Sequence, residues 1–231
     1  MPAMPPSDDR VERARPSVRS ALEEGWHTLT AHVWTLIVAV LIYVAVESLS
    51  NVFSVPPGPG GPQQVVSVIS PLGSILVTGP LVVGLAYLSL RAVRGFEPEL
   101  DDLLAGFRRY VAAAGGMLLY GLAVTVGLVL FVVPGLVAMV RLSFTPYIIV
   151  DRELDPLDAL RASWAATGGY AWSLFGLLMV SLLILVGGLI LLIVGAIPAI
   201  AWIATSWAAY YERATRTAGE TAPGDADPVV T

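Results

Sequence analysis

Long uninterrupted runs of apolar residues constrain this chain more than any other feature of its sequence. The run from Val111 to Val133 carries no charged residue, and a helix needs about 20 mostly apolar residues to cross a bilayer. The composition agrees, because 56% of the residues are hydrophobic and only 13% are charged, whereas soluble domains carry roughly a quarter charged residues. The sequence therefore predicts an all-α membrane protein.

Charged and turn-forming segments divide the apolar runs into six predicted spanning helices, paired as three hairpins. The fourth helix starts at the Pro134-Gly135 turn and the sixth ends near Tyr211, and the others lie at about 33–53, 66–90, 111–133 and 171–194. Together they form one predicted membrane domain over residues 17–211. The polar tails at 1–16 and 212–231 are predicted to be disordered, because they hold too few apolar residues to form a core.

The arginines predict the orientation of the six helices. All 13 basic residues are arginine, and all except Arg141 lie before the first helix, within 91–109, within 152–161 or after the sixth helix. The opposite turns carry no charge; they lie at 54–65, 134–135 and 195–198. Because basic residues stay on the cytoplasmic side, both termini are predicted to be cytoplasmic. The exclusive use of arginine is typical of a GC-rich bacterial genome, which predicts the bacterial inner membrane.

A similar short segment precedes each predicted hairpin. The three segments are ALEEGW at 21–26, LLAGF at 103–107 and ALRASW at 159–164. Each is predicted to form an amphipathic interfacial helix at the headgroup level, anchored by Trp26, Phe107 or Trp164, with Asp102 and Asp158 facing water. One interfacial helix and one hairpin thus form a unit that occurs three times, unless short amphipathic helices simply resemble one another.

Glu47 and Arg141 are the two charged residues placed inside apolar runs. Both lie about 9–10 Å inward from the predicted outer ends of their helices. A lone charge in hydrocarbon costs a few kcal/mol or more, which favours an ion pair between these two residues inside the bundle. Such a pair can be purely structural or can belong to a transport site. Alternatively, Arg141 extends to the lipid headgroups.

Pro80 lies in the middle of the second predicted helix. A proline there removes a backbone hydrogen bond and predicts a kink. Kinked or broken helices line substrate sites in transporters, although kinks also occur in membrane helices without such a role. Pro134 and Gly135 are predicted to form the turn between the third and fourth helices.

The sequence argues against several kinds of site. The chain has no Cys, which excludes thiolate chemistry, and His27 and His32 are five residues apart, so they do not share a helix face. The motifs of nucleophile elbows, phosphate-binding loops and zinc proteases are missing, as is a basic nucleic-acid footprint. We therefore predict no catalytic residue, no metal site, no cofactor and no nucleic-acid partner.

Two stretches, GPLVVGLAYLSLRAVRGFEPELDDLLAGF and VPGLVAMVRLSFTPYIIVDRELDPLDALRASWAATGG, resemble an uncharacterised bacterial integral membrane family with six helices. That family is similar to the membrane domain fused to some glycerophosphodiester phosphodiesterases. The resemblance covers about residues 17–211, and its motif residues are Pro134-Gly135, Arg141, Phe144, Asp151, Ala159-Leu160 and Ser163. It implies a multi-pass inner-membrane protein but no catalytic residues, and this chain lacks a phosphodiesterase domain.

These patterns predict a non-enzymatic membrane component that interacts with lipids, with another membrane protein or with a second copy of itself. The alternative is a small-solute or lipid transporter that uses the Glu47/Arg141 region and the Pro80 kink. A polar, water-filled cavity around those residues would favour transport, whereas a dry bundle would favour the first function.

Overall fold

The computed structural model describes residues 16–53, 63–190 and 195–220. Nearly all of them are helical, and this described part of the chain contains no strand. The helices are α1 (Val18–Ala31), α2 (Val33–Phe53), α3 (Gln63–Val93), a short 3₁₀ helix (Leu100–Leu104), α4 (Ala105–Arg108), α5 (Tyr110–Leu130), α6 (Val132–Arg141), α7 (Thr145–Asp151), α8 (Pro156–Ala166), α9 (Ala171–Ile190) and α10 (Ala196–Glu220).

Four helical stretches are long and apolar enough to cross a membrane: Ser74–Val93, Tyr110–Leu130, Val132–Asp151 and Ala171–Ile190. The number rises to five if α1 and α2, which meet at a bend of 98°, count as one stretch. The sixth predicted span lies in α10, which is not in this set. Its apolar part is short, because Thr205 and Ser206 interrupt it and Glu212 and Arg213 follow.

Helix α10 extends into the predicted C-terminal tail. Residues 212–220 continue α10 as helix instead of being disordered, and Arg213 is held by the carboxylate of Glu24 at 2.7 Å. The rest of that tail, and the N-terminal tail at 1–15, lie outside the described residues.

Helix α3 is the centre of the bundle, and α5 and α9 lie at its periphery. In the candidate span of α3, 67% of the residues are buried, against 22% for α5 and for α9. The outward faces of α5 and α9 are lined by large apolar side chains that are highly exposed, such as Val111, Val129, Leu183 and Ile190. Apolar patches of this extent are unusual on proteins that face water, so the surface is compatible with a membrane protein.

Helices α1 and α10 join the two ends of the described chain. The buried residues of α1, Ala21, Gly25 and Leu29, recur every fourth position and therefore share one face. Thr205 Oγ1 of α10 donates to the carbonyl of Gly25 at 2.9 Å, and Trp202 Nε1 donates to the carbonyl of Leu22 at 3.0 Å. The first and last helices thus close the bundle.

The turn between the third and fourth predicted helices lies at Phe131, three residues before the expected position. Phe131 is the one extended residue between α5 and α6. Pro134 instead lies in the first turn of α6, where a missing N–H breaks no helical hydrogen bond. Gly135 packs against Gly127 and Leu128 of α5, with no room for a Cβ atom. The Pro-Gly pair therefore allows the close approach of two helices and does not form the turn.

Pro80 does not break α3, which runs through it without interruption. Pro80 has no N–H to bond to the carbonyl of Leu76, and the hydroxyl of Tyr110 on α5 donates to that carbonyl at 3.1 Å. The carbonyl of Pro80 itself packs directly against Gly106. A side chain from another helix thus supplies the hydrogen bond that the proline removes.

A helix break falls in the fourth predicted span. Residues 142–144 form a turn between α6 and α7, and Pro146 follows in the first turn of α7. The carbonyl of Leu142, which cannot bond to Pro146, accepts from the hydroxyl of Thr145 at 2.7 Å. The break is therefore stabilised locally.

The three segments of the predicted repeat form α1, the 3₁₀ helix with α4, and α8; we call them the connecting helices. The small residue at the same position of each segment contacts a longer helix: Gly25 packs on Ser206 and Gly106 on the Pro80 carbonyl, and Ser163 donates to the Arg141 carbonyl at 3.0 Å. Each of the three equivalent positions thus lies at a contact with a longer helix.

Candidate functional site

Arg141 is the last residue of α6 and lies beside the connecting helix α8. Its guanidinium carbon lies 4.8 Å from the centre of the Trp164 ring, which is within the range of a cation–π interaction. Its Nη1 donates to the carbonyl of Trp164 at 3.4 Å, longer than a normal hydrogen bond. The side chain thus rests on an aromatic ring.

The backbone of Arg141 is fixed to α8. Its carbonyl precedes the break at 142–144 and has lost its normal partner, because the N–H of Thr145 donates to Leu142. The hydroxyls of Ser163 and Thr167 donate to it instead, at 3.0 and 2.9 Å. Both hydroxyl residues are fully buried, so the position of Arg141 is well defined.

The predicted ion pair between Glu47 and Arg141 is not formed. None of the ion pairs between described residues joins these two side chains, and the guanidinium of Arg141 lies on Trp164. Glu47 belongs to α2, which packs on α3 and α10. The hypothesis assumed that Glu47 and Arg141 lie at the same depth in the bundle, measured from the predicted turns at their helix ends. The turn before Arg141 lies at Phe131 and not at Pro134, so this assumption does not hold.

An apolar groove starts at Arg141 and runs along α6. It has a volume of about 430 Å³ and lies between α6 and the first turns of α9. The wall on α6 includes Leu136, Val137 and Val140, and the wall on α9 includes Trp172 and Phe175. Arg141 is the one charged residue among the residues that line it.

A second cavity, of about 410 Å³, lies beside the helix break. Its lining comes from six helices and includes no charged side chain. Two of its polar groups are already bonded: Tyr147 donates to the carbonyl of Ala204 at 3.4 Å, and Trp207 Nε1 donates to Ser181 Oγ at 3.2 Å. Both interhelical spaces are therefore suited to apolar rather than to polar occupants.

The three predicted aromatic anchors are all partly exposed. Trp26, Phe107 and Trp164 expose 48%, 41% and 45% of their surface. Trp26 meets Trp202 edge-on at 5.1 Å, and Phe107 stacks on Tyr110 at 6.5 Å. Aromatic residues that are half packed and half exposed are typical of a membrane–water interface.

A network of ion pairs at one end of the bundle was missed from the sequence. Arg94 bonds to Asp151 at 2.6 Å and to Glu212 at 2.8 Å, and the hydroxyl of Tyr211 donates to Asp151 at 2.9 Å. Burial alone would lower the pKa of Arg94, but its hydrogen bonds to the two carboxylates outweigh this effect and raise the pKa. The network joins α3, α7 and α10.

Two more ion pairs attach connecting helices to long helices. Arg91 of α3 bonds to Asp102 at 2.6 Å, and Arg213 of α10 bonds to Glu24 of α1 at 2.7 Å. Asp102 was expected to face water, but it is only 7% exposed. The sequence shows arginines and carboxylates near the ends of successive helices. This pattern does not specify which arginine pairs with which carboxylate.

No group of His, Cys, Asp and Glu residues within the described ranges could hold a metal ion. No protein-family model, curated protein or solved structure matches this chain. The resemblance to the six-helix bacterial family therefore stays a prediction from the motifs, and the function must be inferred from the geometry.

Proposed function

We propose that this chain is a non-enzymatic, multi-pass protein of the bacterial inner membrane that binds membrane lipid. The observation that carries the proposal is the apolar groove that begins at Arg141. A cationic group at the end of an apolar groove matches the two parts of a phospholipid. The exposed apolar faces of α5 and α9 support a location in the membrane.

The proposed arrangement has six spans in three hairpins, with α10 as the sixth span and the connecting helices at the cytoplasmic headgroup level. Both termini are cytoplasmic. The ion pairs of Arg91, Arg94 and Arg213 support this orientation, because basic residues concentrate on the cytoplasmic side of a membrane protein. Membrane lipids are the proposed partners, with a second membrane protein or a second copy of the chain as further candidates.

Mass spectrometry of lipids that co-purify with the protein tests this function. The full chain, purified in mild detergent, should retain a subset of phospholipids enriched over the membrane extract from which it came. A composition identical to that of the bulk membrane, or no retained lipid, would argue against a lipid-binding role.

A second candidate function is lipid transport across the bilayer. It is favoured by the break at 142–144, which adjoins the apolar cavity of about 410 Å³, since broken helices line transport sites. The lining lacks charged side chains, so a lipid or another apolar molecule is a better cargo than a polar solute. In vesicles that contain the protein, faster exchange of a fluorescent lipid between leaflets would favour transport over binding.

A further inference from the structure

We propose that the groove between α6 and α9 is a binding site for one anionic phospholipid, with the phosphate on Arg141 and an acyl chain along α6. This inference rests on the proposed lipid-binding function and specifies the site and the ligand class. It follows from the charge state of Arg141, from the shape of the groove and from the comparison with the other arginines.

Arg141 lacks an anionic partner among the described residues. An arginine keeps its charge in a protein, and a charge in an apolar environment is costly unless it is paired. The Trp164 ring and one long hydrogen bond to a carbonyl leave most of the guanidinium N–H donors available. A phosphate group accepts two parallel N–H bonds from a guanidinium, so it supplies the missing counter-charge.

Three other arginines near the helix ends differ from Arg141. Arg91, Arg94 and Arg213 each have a carboxylate within 2.6–2.7 Å and are therefore already neutralised by the protein. Arg141 combines a well-defined backbone with a charge that no described carboxylate pairs. This combination is typical of a residue that binds an external anion.

The groove is suited to an acyl chain. Val132 and Arg141 both line it. They are nine residues apart, which corresponds to about 14 Å along the helix. Val133, Leu136, Val137 and Val140 follow helical spacing and present one apolar face along this length. A free phosphate would leave this apolar wall exposed, whereas a phospholipid covers it.

Comparison of the three equivalent contacts of the repeat predicts a single site of this kind. The contacts equivalent to that of Ser163 with Arg141 are those of Gly25 with Ser206 and of Gly106 with Pro80. Neither of these two places an arginine at the contact. All three connecting helices thus contact a longer helix, but an arginine lies at the contact of one of them, α8, where it belongs to α6.

The test is a titration of the delipidated full chain with phosphatidylglycerol, followed by native mass spectrometry. Arg141→Gln should weaken the tightest binding event by about 10- to 100-fold, as expected when a hydrogen-bonded charge is removed. Arg161→Gln removes the same charge from exposed α8 surface, where Arg161 pairs with Asp158 at 3.2 Å, and should bind like the unaltered protein. Equal loss in both variants would overturn the proposal, because it would show non-specific attraction.

A second pair of variants tests the groove. Val137→Trp fills the groove and should abolish the same binding event, whereas Val126→Trp places the same bulk on a similarly exposed position of α5 outside it. Normal binding in Val137→Trp would contradict the proposed position of the acyl chain. Phosphatidylcholine should bind more weakly than phosphatidylglycerol. Inorganic phosphate should not compete at millimolar concentration, and competition would assign the site to the free anion.

The two levels of the proposal fail differently. If the unaltered protein retains no enriched lipid, the lipid-binding function is wrong. If enriched lipid is retained equally by Arg141→Gln, the function stands and the site is wrong.

Discussion

Arginines in this protein have two kinds of environment. Arg94 contacts two carboxylates and holds three helices together, whereas Arg141 lies on an aromatic ring. The first arrangement contributes to stability because hydrogen bonds between charged groups are strong and partly shielded from water. The second contributes less to stability and leaves the charge available for a ligand.

Arg94→Gln should lower the stability of the bundle. It removes two charged hydrogen bonds and leaves Asp151 and Glu212 close together, which we expect to cost about 1.5–3 kcal/mol. For a chain of this size the loss corresponds to roughly 3–12 °C in Tm, measured by thermal unfolding in detergent. Arg161→Gln is the matched control, because its exposed pair contributes about 0–1 kcal/mol. An unchanged Tm for Arg94→Gln would show that the network is not structural.

At the scale of the elements, local sequence patterns predicted the helices better than their ends. Pro156 begins α8 as expected from its place after Asp155. A proline in the first turn of a helix is predictable because its effect depends only on neighbouring residues. Pro80 and Pro146 could not be distinguished in this way. Pro80 is accommodated by Tyr110 from another helix, and no local pattern reveals a partner 30 residues away.

The candidate site was predicted only in part, for the same reason. Arg141 was recognised because a charge in an apolar run is unusual. Its partner Trp164 was predicted as an anchor, but the contact between them depends on the break at 142–144, which brings α6 against α8. The predicted pairing with Glu47 assumed that the turn before Arg141 lies at Pro134. Because the turn lies at Phe131, Arg141 is farther from it along the helix than assumed. Tertiary packing therefore decided the outcome.

The contact between the connecting helix at Gly106 and α3 provides a test at this scale. A Cβ atom on Gly106 would overlap the carbonyl of Pro80, so Gly106→Ala should destabilise the protein by about 1–3 kcal/mol through overpacking. Gly187→Ala is the control, because a Cβ atom there meets nothing within 4 Å, and alanine favours helix by about 1 kcal/mol. Thermal unfolding of both variants checks this, and a neutral Gly106→Ala would disprove the close packing.

The whole molecule has two distinct regions. The ion pairs of Arg91 and Arg213 join long helices to connecting helices, and the Arg94 network joins α3, α7 and α10. The turn between α5 and α6 is entirely apolar, and the three residues from Phe131 to Val133 are each at least 70% exposed. A charged end and an exposed apolar end are compatible with a membrane protein.

The proposed orientation is central to the arrangement of this protein in the membrane, and cysteine accessibility tests it most directly because the chain has no native Cys. Single substitutions Ser54→Cys and Asp158→Cys place one thiol in a predicted outer turn and one on exposed α8. A membrane-impermeant maleimide should label Ser54→Cys in intact spheroplasts and Asp158→Cys only after lysis. Labelling of Asp158→Cys in intact spheroplasts, with Ser54→Cys protected, would contradict the orientation.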